Sequence, residues 1–444
     1  MDTNSDMGRG KGVYISTYGC QMNVNDTERM YSLLEMANYT PVSTPDQASL
    51  IIINSCSVRE KPVHKVHSEV GRYKKMKQQN PDLKIGVAGC VAQQEKEKIM
   101  LDIPMVDFVM GTDAIDRLPE IVTDLHQRDR VVAARFDHQK PYYIETLVRD
   151  PGVSTFVNIM KGCDNFCTFC VVPFTRGRER SRPLNDVMGD VNGLVKRGVK
   201  EVTLLGQNVN SYKSECGANF GQLLNRLAQD TEIERIRFTT SHPKDFNREL
   251  VDLMQANRAK ICEYIHLPVQ SGNSDVLERM NRGYSREEYI ETALMILDLM
   301  PGAVLSTDII VGFPGETEEQ FADTLSLLDE VPYESIFAFK YSPRPFTKAA
   351  RWEDQVSDEE KSSRLDRLFS KHNEIAFGLA KKYSSQKLQV LVEKFDEATG
   401  RCSGRSTQNK LVHFQGEKGL IGQTVPVLVT EAFPQTLRGE WIRE

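Results

Sequence analysis

No apolar run in the chain approaches the roughly 20 residues that cross a bilayer as a helix. The run SLIIIN, from Ser49 to Asn54, has the length of a buried strand. The opening MDTNSDMGRGKG carries no apolar core, so no secretory leader is expected. Residues 1–10 read as a disordered polar lead, and the protein is expected in the cytoplasm with no membrane role. An excess of basic charge is missing too: 56 Lys and Arg face 62 Asp and Glu, a net −6. That excludes a surface coated in positive charge, although local patches, not the total, decide nucleic-acid binding. Residues 381–444 are such a place, with ten Lys and Arg against seven Asp and Glu. Nine cysteines, an odd number spread along the chain, point to metal or catalytic roles and away from a disulfide framework. One further absence stands out. The segment KGCDNFCTFCVVPFTRGRERSRP holds Cys163, Cys167 and Cys170 spaced C-x3-C-x2-C, and the next cysteine is Cys216. A closed zinc site or an ordinary ferredoxin cluster would need a fourth ligand.

At 444 residues the chain is long enough for two or three domains. Its 40% hydrophobic and 27% charged content is that of an ordinary globular protein. Residues 11–128 repeat one pattern. VYISTYG ends at Cys20, LIIINS at Cys56 and KIGVAG at Cys90, each followed by a polar, helix-like stretch, and VDFVM then ends at Gly111 without a cysteine. Strands alternating with helices predict βαβ units and a parallel sheet. In such sheets the C-terminal strand ends line the ligand crevice. Cys20, Cys56 and Cys90 are therefore expected to converge although 36 and 34 residues separate them. Any one alone reads as a small buried hydrophobe; equivalent placement of all three reads as a ligand set.

From 149 to 378 the alternation continues through FVNIM, EVTLLG, RIRFTT, YIHLPV, VLSTDIIVG and SIFAFKY. Six such units predict a partial barrel, short of a complete eight. Polar residues recur at the same strand ends: Gln207 and Asn208, Ser241 and His242, Gln270 and Ser271, and FPGET after the strand that carries Asp308. Singly these are turn residues; together they outline a binding rim. Residues 379–444 read as short strands broken by Gly and polar turns, a small β-barrel.

Three thiolates on one loop can hold three corners of a four-iron cluster and leave the fourth iron to a ligand with an amino and a carboxylate group. C-x3-C-x2-C on the first loop of a partial barrel resembles the radical S-adenosylmethionine superfamily, and Phe169 before Cys170 fits its usual aromatic position. The arrangement of the whole chain, with the GQNV stretch at Gln207, resembles the methylthiotransferases of that superfamily. The resemblance implies an α/β N-terminal domain with an auxiliary 4Fe-4S cluster on Cys20, Cys56 and Cys90. It also implies a radical S-adenosylmethionine barrel with a second 4Fe-4S cluster on Cys163, Cys167 and Cys170, and a C-terminal TRAM barrel that binds RNA. S-adenosylmethionine would be held by residues chosen among Gln207, Ser241, Gln270, Ser271 and Asp308. Arg176 and Arg178, in the RGRERSRP run, would meet the cofactor carboxylate or RNA phosphate; the other reading of that run is a solvated face.

Within the family, TYGCQMNVND around Cys20 most resembles the branch that adds methylthio to C2 of a tRNA adenosine bearing N6-dimethylallyl, next to the anticodon. The partners then expected are a tRNA anticodon stem-loop, an electron donor and a sulfur donor, acting on a monomer. Phe313 and Phe346 are candidates to stack a base turned out of its loop. Two other readings compete: a branch acting on threonylcarbamoyl-adenosine, and a zinc-stabilised RNA-binding protein without catalysis.

Overall fold

Strand β3 (Leu50–Ser55) shows why its sequence is an unbroken apolar run. Leu50 and Ile52 enter one apolar layer and Ile51 and Ile53 another, because helices cover both faces of the sheet. The computed structural model describes residues 11–57, 62–125, 130–136 and 145–443. The lead expected at 1–10 lies outside them. The chain forms two units, residues 1–150, 161–164 and 171–180 in one and 151–160, 165–170 and 181–444 in the other.

In the first unit β1 (Lys11–Tyr18), β2 (Tyr39–Pro41), β3, β4 (Lys84–Gly89), β5 (Phe108–Met110) and β6 (Val131–Ala133) form one parallel sheet in the order β2-β1-β3-β4-β5-β6. Helix α1 (Gln21–Met36) packs Met30 and Leu34 on one face, and α2 (Pro62–Arg72) packs Val66 and Val70 on the other. Helix α3 (Lys74–Gln79) follows, and α4 (Cys90–Glu95), α5 (Glu97–Asp102) and α6 (Leu118–Asp124) complete the layers. Two strands had no sequence signal. β2 and β6 have three residues each, too short to show a period, and β6 carries the sheet past residue 128.

Two-residue strands β8 (Met160–Lys161) and β9 (Arg180–Ser181) flank the cysteine loop, with α7 (Val172–Thr175) between them. In the second unit, β7 (Ser154–Asn158), β10 (Glu201–Leu205) and β11 (Arg235–Phe238) form one parallel run. β12 (Tyr264–His266), β13 (Val304–Val311) and β14 (Tyr333–Lys340) form another. An isolated parallel bridge, Ile236 to Ile261, links the two runs. This is the expected partial six-strand barrel. Val202, Leu204, Ile236, Ile265, Leu305 and Ile309 meet the surrounding helices in one core. The helices start where the sequence caps them: Asn219 with Gln222, Ser285 with Glu288 and Thr317 with Gln320 form reciprocal capping boxes.

The tail is a closed barrel of β15 (Lys387–Asp396), β16 (Arg401–Arg405), β17 (Leu411–Gln415), β18 (Thr424–Ala432) and β19 (Thr436–Trp441). It fastens to the N-terminal strand ends of the six-strand barrel. Arg235 donates to the carbonyls of Arg405 and Gln389, and Arg237 to those of Ser406 and Thr407. Glu334 receives Lys410 and Tyr383. Among the described residues, no helix is long and apolar enough to cross a membrane.

Candidate metal centres

Register alone brings the first three cysteines together. Tyr18 pairs with Ser55 and Ser55 with Gly89, so Cys56 and Cys90 follow directly on neighbouring strands and Cys20 follows two residues beyond β1. Cys56 hydrogen-bonds to both Cys20 and Cys90, which gathers the three sulfurs. Glycine is required at the approach. A Cβ on Gly19, at φ +142°, would stand 2.4 Å from the Cys56 Cβ, and one on Gly89, at φ +88°, would stand 2.4 Å from Asn54 Oδ1. Asn54 in turn accepts from Asn23 Nδ2 at 3.1 Å and donates to the Asn23 carbonyl at 2.8 Å, tying β3 to the first turn of α1.

The donor set has the chemistry of a thiolate site. Hydrogen bonds from Cys56, aided by the Arg176 charge, bring Cys20 and Cys90 down to about 6 against burial. Cys56, which holds its proton between two anionic sulfurs, is pushed up. Among the described residues, no three Cys, His, Asp or Glu side chains are grouped around a single-ion position. Three thiols without a fourth ligand suit three corners of a polynuclear cluster and leave a tetrahedral zinc site incomplete.

Arg176 is buried in the first unit, 2.7 Å from Asp26 of α1. Its segment is held there by Thr112, whose hydroxyl donates to the Thr175 carbonyl at 2.6 Å. Lys161 and Arg180 both reach Asp113 at 2.6 Å. Arg178 is exposed and pairs with Asp164 at 2.6 Å. Arg182 is buried in the second unit, bonded to Asp190 and to the Asn158 carbonyl. Of the arginines in RGRERSRP, only the Arg178 position fits a solvated face.

In the second triplet, Cys163 falls in the first unit and Cys167 and Cys170 in the second. Cys167 Sγ lies 3.3 Å from Nη1 of the buried Arg282, and the Cys170 N–H donates to the Cys167 carbonyl at 2.9 Å. Phe169 packs edge-on against Phe313, which also meets Tyr341 and Trp352. Phe313 is thus fully buried core, unavailable to a base, whereas Phe346 is exposed.

Along the rim, Gln207 is half-buried just past β10. Asn208, Ser241 and His242 are buried, and Asn208 Oδ1, Ser241 Oγ and His242 Nε2 have no hydrogen-bond partner among the described residues. Gln270 sits at φ +78°, its N–H donating to the Asp308 carbonyl and its carbonyl accepting from Ile310. A non-glycine residue in that conformation is strained, as functional positions often are. Ser271 Oγ is turned to Thr324 at 3.5 Å and accepts from the Asn273 N–H before α11 (Ser274–Arg279). Asp308 stands 3.4 Å from His266 Nε2. Sequence reasoning missed Arg282, which no motif marks, and it named His242 without selecting it. Of the cysteines outside the triplets, Cys262 and Cys402 are buried and Cys216 is exposed.

These features define a class, the radical S-adenosylmethionine enzymes. Three family models match in succession: Uncharacterized protein family UPF0004 over residues 12–111, the Radical SAM superfamily over 157–328 and the TRAM domain over 381–442. Among solved structures, the radical S-adenosylmethionine methyltransferase TsrM from Kitasatospora setae aligns with a TM-score of 0.56 at 13% identity, covering 77% of this chain and 74% of that one. The cobalamin-dependent radical enzyme OxsB aligns with 0.55 at 14%, covering 82% and 56%. Both share the fold.

Curated relatives go further. A tRNA-2-methylthio-N6-dimethylallyladenosine synthase of Bdellovibrio bacteriovorus is 63% identical over 443 residues, covering 100% of this chain and 98% of the relative. One of Geotalea uraniireducens is 44% identical, covering 98% and 100%. The chain belongs to this family of tRNA-2-methylthio-N6-dimethylallyladenosine synthases. It is an enzyme, and its superfamily implies a 4Fe-4S cluster and S-adenosylmethionine. The relatives' names favour neither the threonylcarbamoyl nor the zinc reading.

Proposed function

We propose that this enzyme adds a methylthio group to C2 of N6-dimethylallyladenosine next to the anticodon of tRNA, in the cytoplasm. Full-length identity of 63% to a synthase so named carries the reading. The gathered thiols of Cys20, Cys56 and Cys90 are what such chemistry needs for a second, sulfur-presenting cluster. Cys163, Cys167 and Cys170 would hold the radical-generating cluster, each set leaving one iron open. Held there, the two clusters would supply radical and sulfur chemistry, with S-adenosylmethionine as the source of both the methyl group and the radical.

The chain's own part is to bind and orient. Asn208, Ser241 and His242 offer polar atoms that await a ligand at the barrel's C-terminal strand ends, where S-adenosylmethionine would lie. Gln207, Gln270 and Asp308 belong to the same rim. Ser271 would contribute by fixing the turn, since its hydroxyl is already engaged. Arg178, at the surface and paired with Asp164, would meet RNA phosphate by exchanging that partner, and the positive excess of the tail barrel suits backbone contact. The enzyme would work as a monomer with external electron and sulfur donors.

Anaerobic reconstitution tests this. Wild type should hold about eight irons, falling to about four when either cysteine triplet is replaced by Ala. Loss of Cys163, Cys167 and Cys170 should abolish 5′-deoxyadenosine formation. Loss of Cys20, Cys56 and Cys90 should spare it but stop methylthio transfer to a dimethylallylated anticodon stem-loop. Zinc without sulfide, or cleavage surviving the first replacement, would overturn the assignment.

A further inference from the structure

We infer that Arg176 is the charge-compensating residue of the Cys20/Cys56/Cys90 site, a fixed cation that raises the reduction potential of the cluster held there. The inference rests on the proposed auxiliary cluster.

Burying a guanidinium is costly unless anions meet it. Arg176 is 4% exposed and Asp26 6%. An isolated Arg–Asp pair would be neutral, but Arg176 faces more than Asp26. Helix α7, which it terminates, packs on α4, whose first residue is Cys90. Asp26 lies on α1, whose N-cap is Cys20. One buried cation therefore bridges the helices that start at Cys20 and Cys90, bonded to the first through Asp26 and packed on the second through α7. The neighbouring cations have other anions: Lys161 and Arg180 share Asp113, and Arg178 has Asp164.

Net charge is one of the determinants of a cluster's potential, beside hydrogen bonds to its sulfurs and solvent exposure. One-electron reduction adds negative charge to a site already holding three thiolates and Asp26, so a nearby cation favours the reduced state. Arginine suits the task because it does not lose its proton when buried. The sequence run after the second triplet thus supplies a residue to the first. Its place in RGRERSRP suggested phosphate or a cofactor carboxylate; the structure gives it Asp26, on the helix that starts at Cys20.

The full chain with Cys163, Cys167 and Cys170 replaced by Ala isolates the site, and its midpoint potential is read by redox titration monitored by electron paramagnetic resonance. R176M should lower the midpoint, R176K should restore most of it, and D26N, removing an anion, should raise it. Opposite signs for R176M and D26N separate charge from general damage. If R176M fails to hold iron, the upward shift in D26N still decides. Unchanged midpoints, or a shift of the same sign in both variants, would overturn the inference. A parent variant without about four irons would instead remove the cluster assignment itself.

Discussion

His242 shows how much of the site is made by environment. Burial first, then the charges of Arg282 and Lys244, push its imidazole down to about 2, so it is neutral in the fold at any working pH. Its folded-state value is depressed, which sets the sign. The stabilising preference for neutral imidazole is fully present above the ordinary 6.5, and stability falls as pH drops below it, when the unfolded chain takes up a proton that the fold refuses. Between pH 6.5 and 5 this is worth about 2 kcal/mol. The urea midpoint of wild type should fall over that interval, and H242Q should flatten the decline; equal slopes would contradict it. The convergence of Cys20, Cys56 and Cys90 was legible in the sequence, because each follows a strand of one parallel sheet. His242 and Arg282 were not, because what distinguishes them is burial and a neighbour 40 or more residues away, as Arg282 is from His242. Residues matter at this scale through their surroundings, which a one-dimensional pattern does not carry.

Two elements lend themselves to test. The turn from β1 into α1 needs Gly19, since a Cβ there would press on Cys56. G19A should therefore lower iron content by about half while leaving the far-ultraviolet circular dichroism near wild type, the expected loss of one of two four-iron clusters. Helix α14 (Asp358–Ala380) docks through Arg364, bonded to Glu316 at 2.8 Å, both side chains almost wholly buried. Burial pushes Glu316 up to about 7, although the Gly312 N–H and Arg364 pull the other way. R364M leaves that carboxyl without its cation and should cost about 3–5 kcal/mol in chemical denaturation. E316Q, of the same shape and without charge, should cost distinctly less. At the scale of elements the sequence read well where apolar periodicity ran for five residues or more, as in β3, β4 and β13. It failed at β2 and β6, which are strands only because longer neighbours offer them hydrogen bonds.

Across the molecule, the order of sheet, partial barrel and small barrel followed from the alternation of strand and helix and from the glycine-punctuated tail. How the small barrel is fastened did not, because Arg235 and Arg237 lie within RIRFTT and look like solvent-facing strand residues. They are instead buried, on the barrel face opposite the helices, with Arg237 2.9 Å from Glu201. Four carbonyls accept from the two guanidiniums. Replacing both arginines by Ala strands those carbonyls and Glu201. Limited proteolysis should then cut between α14 and β15, around residues 381–386, at protease levels that leave wild type whole. Resistance equal to wild type would show that the tail is held by other contacts.

That fastening also joins the tail to the barrel end remote from the rim. The loop of residues 405–408 is bonded to Arg235, Arg237 and Glu263, where β11 and β12 begin, and Asn208, Ser241 and His242 follow the other ends of β10 and β11. A load on the tail barrel is thus borne by β11, the strand that runs on to Ser241 and His242.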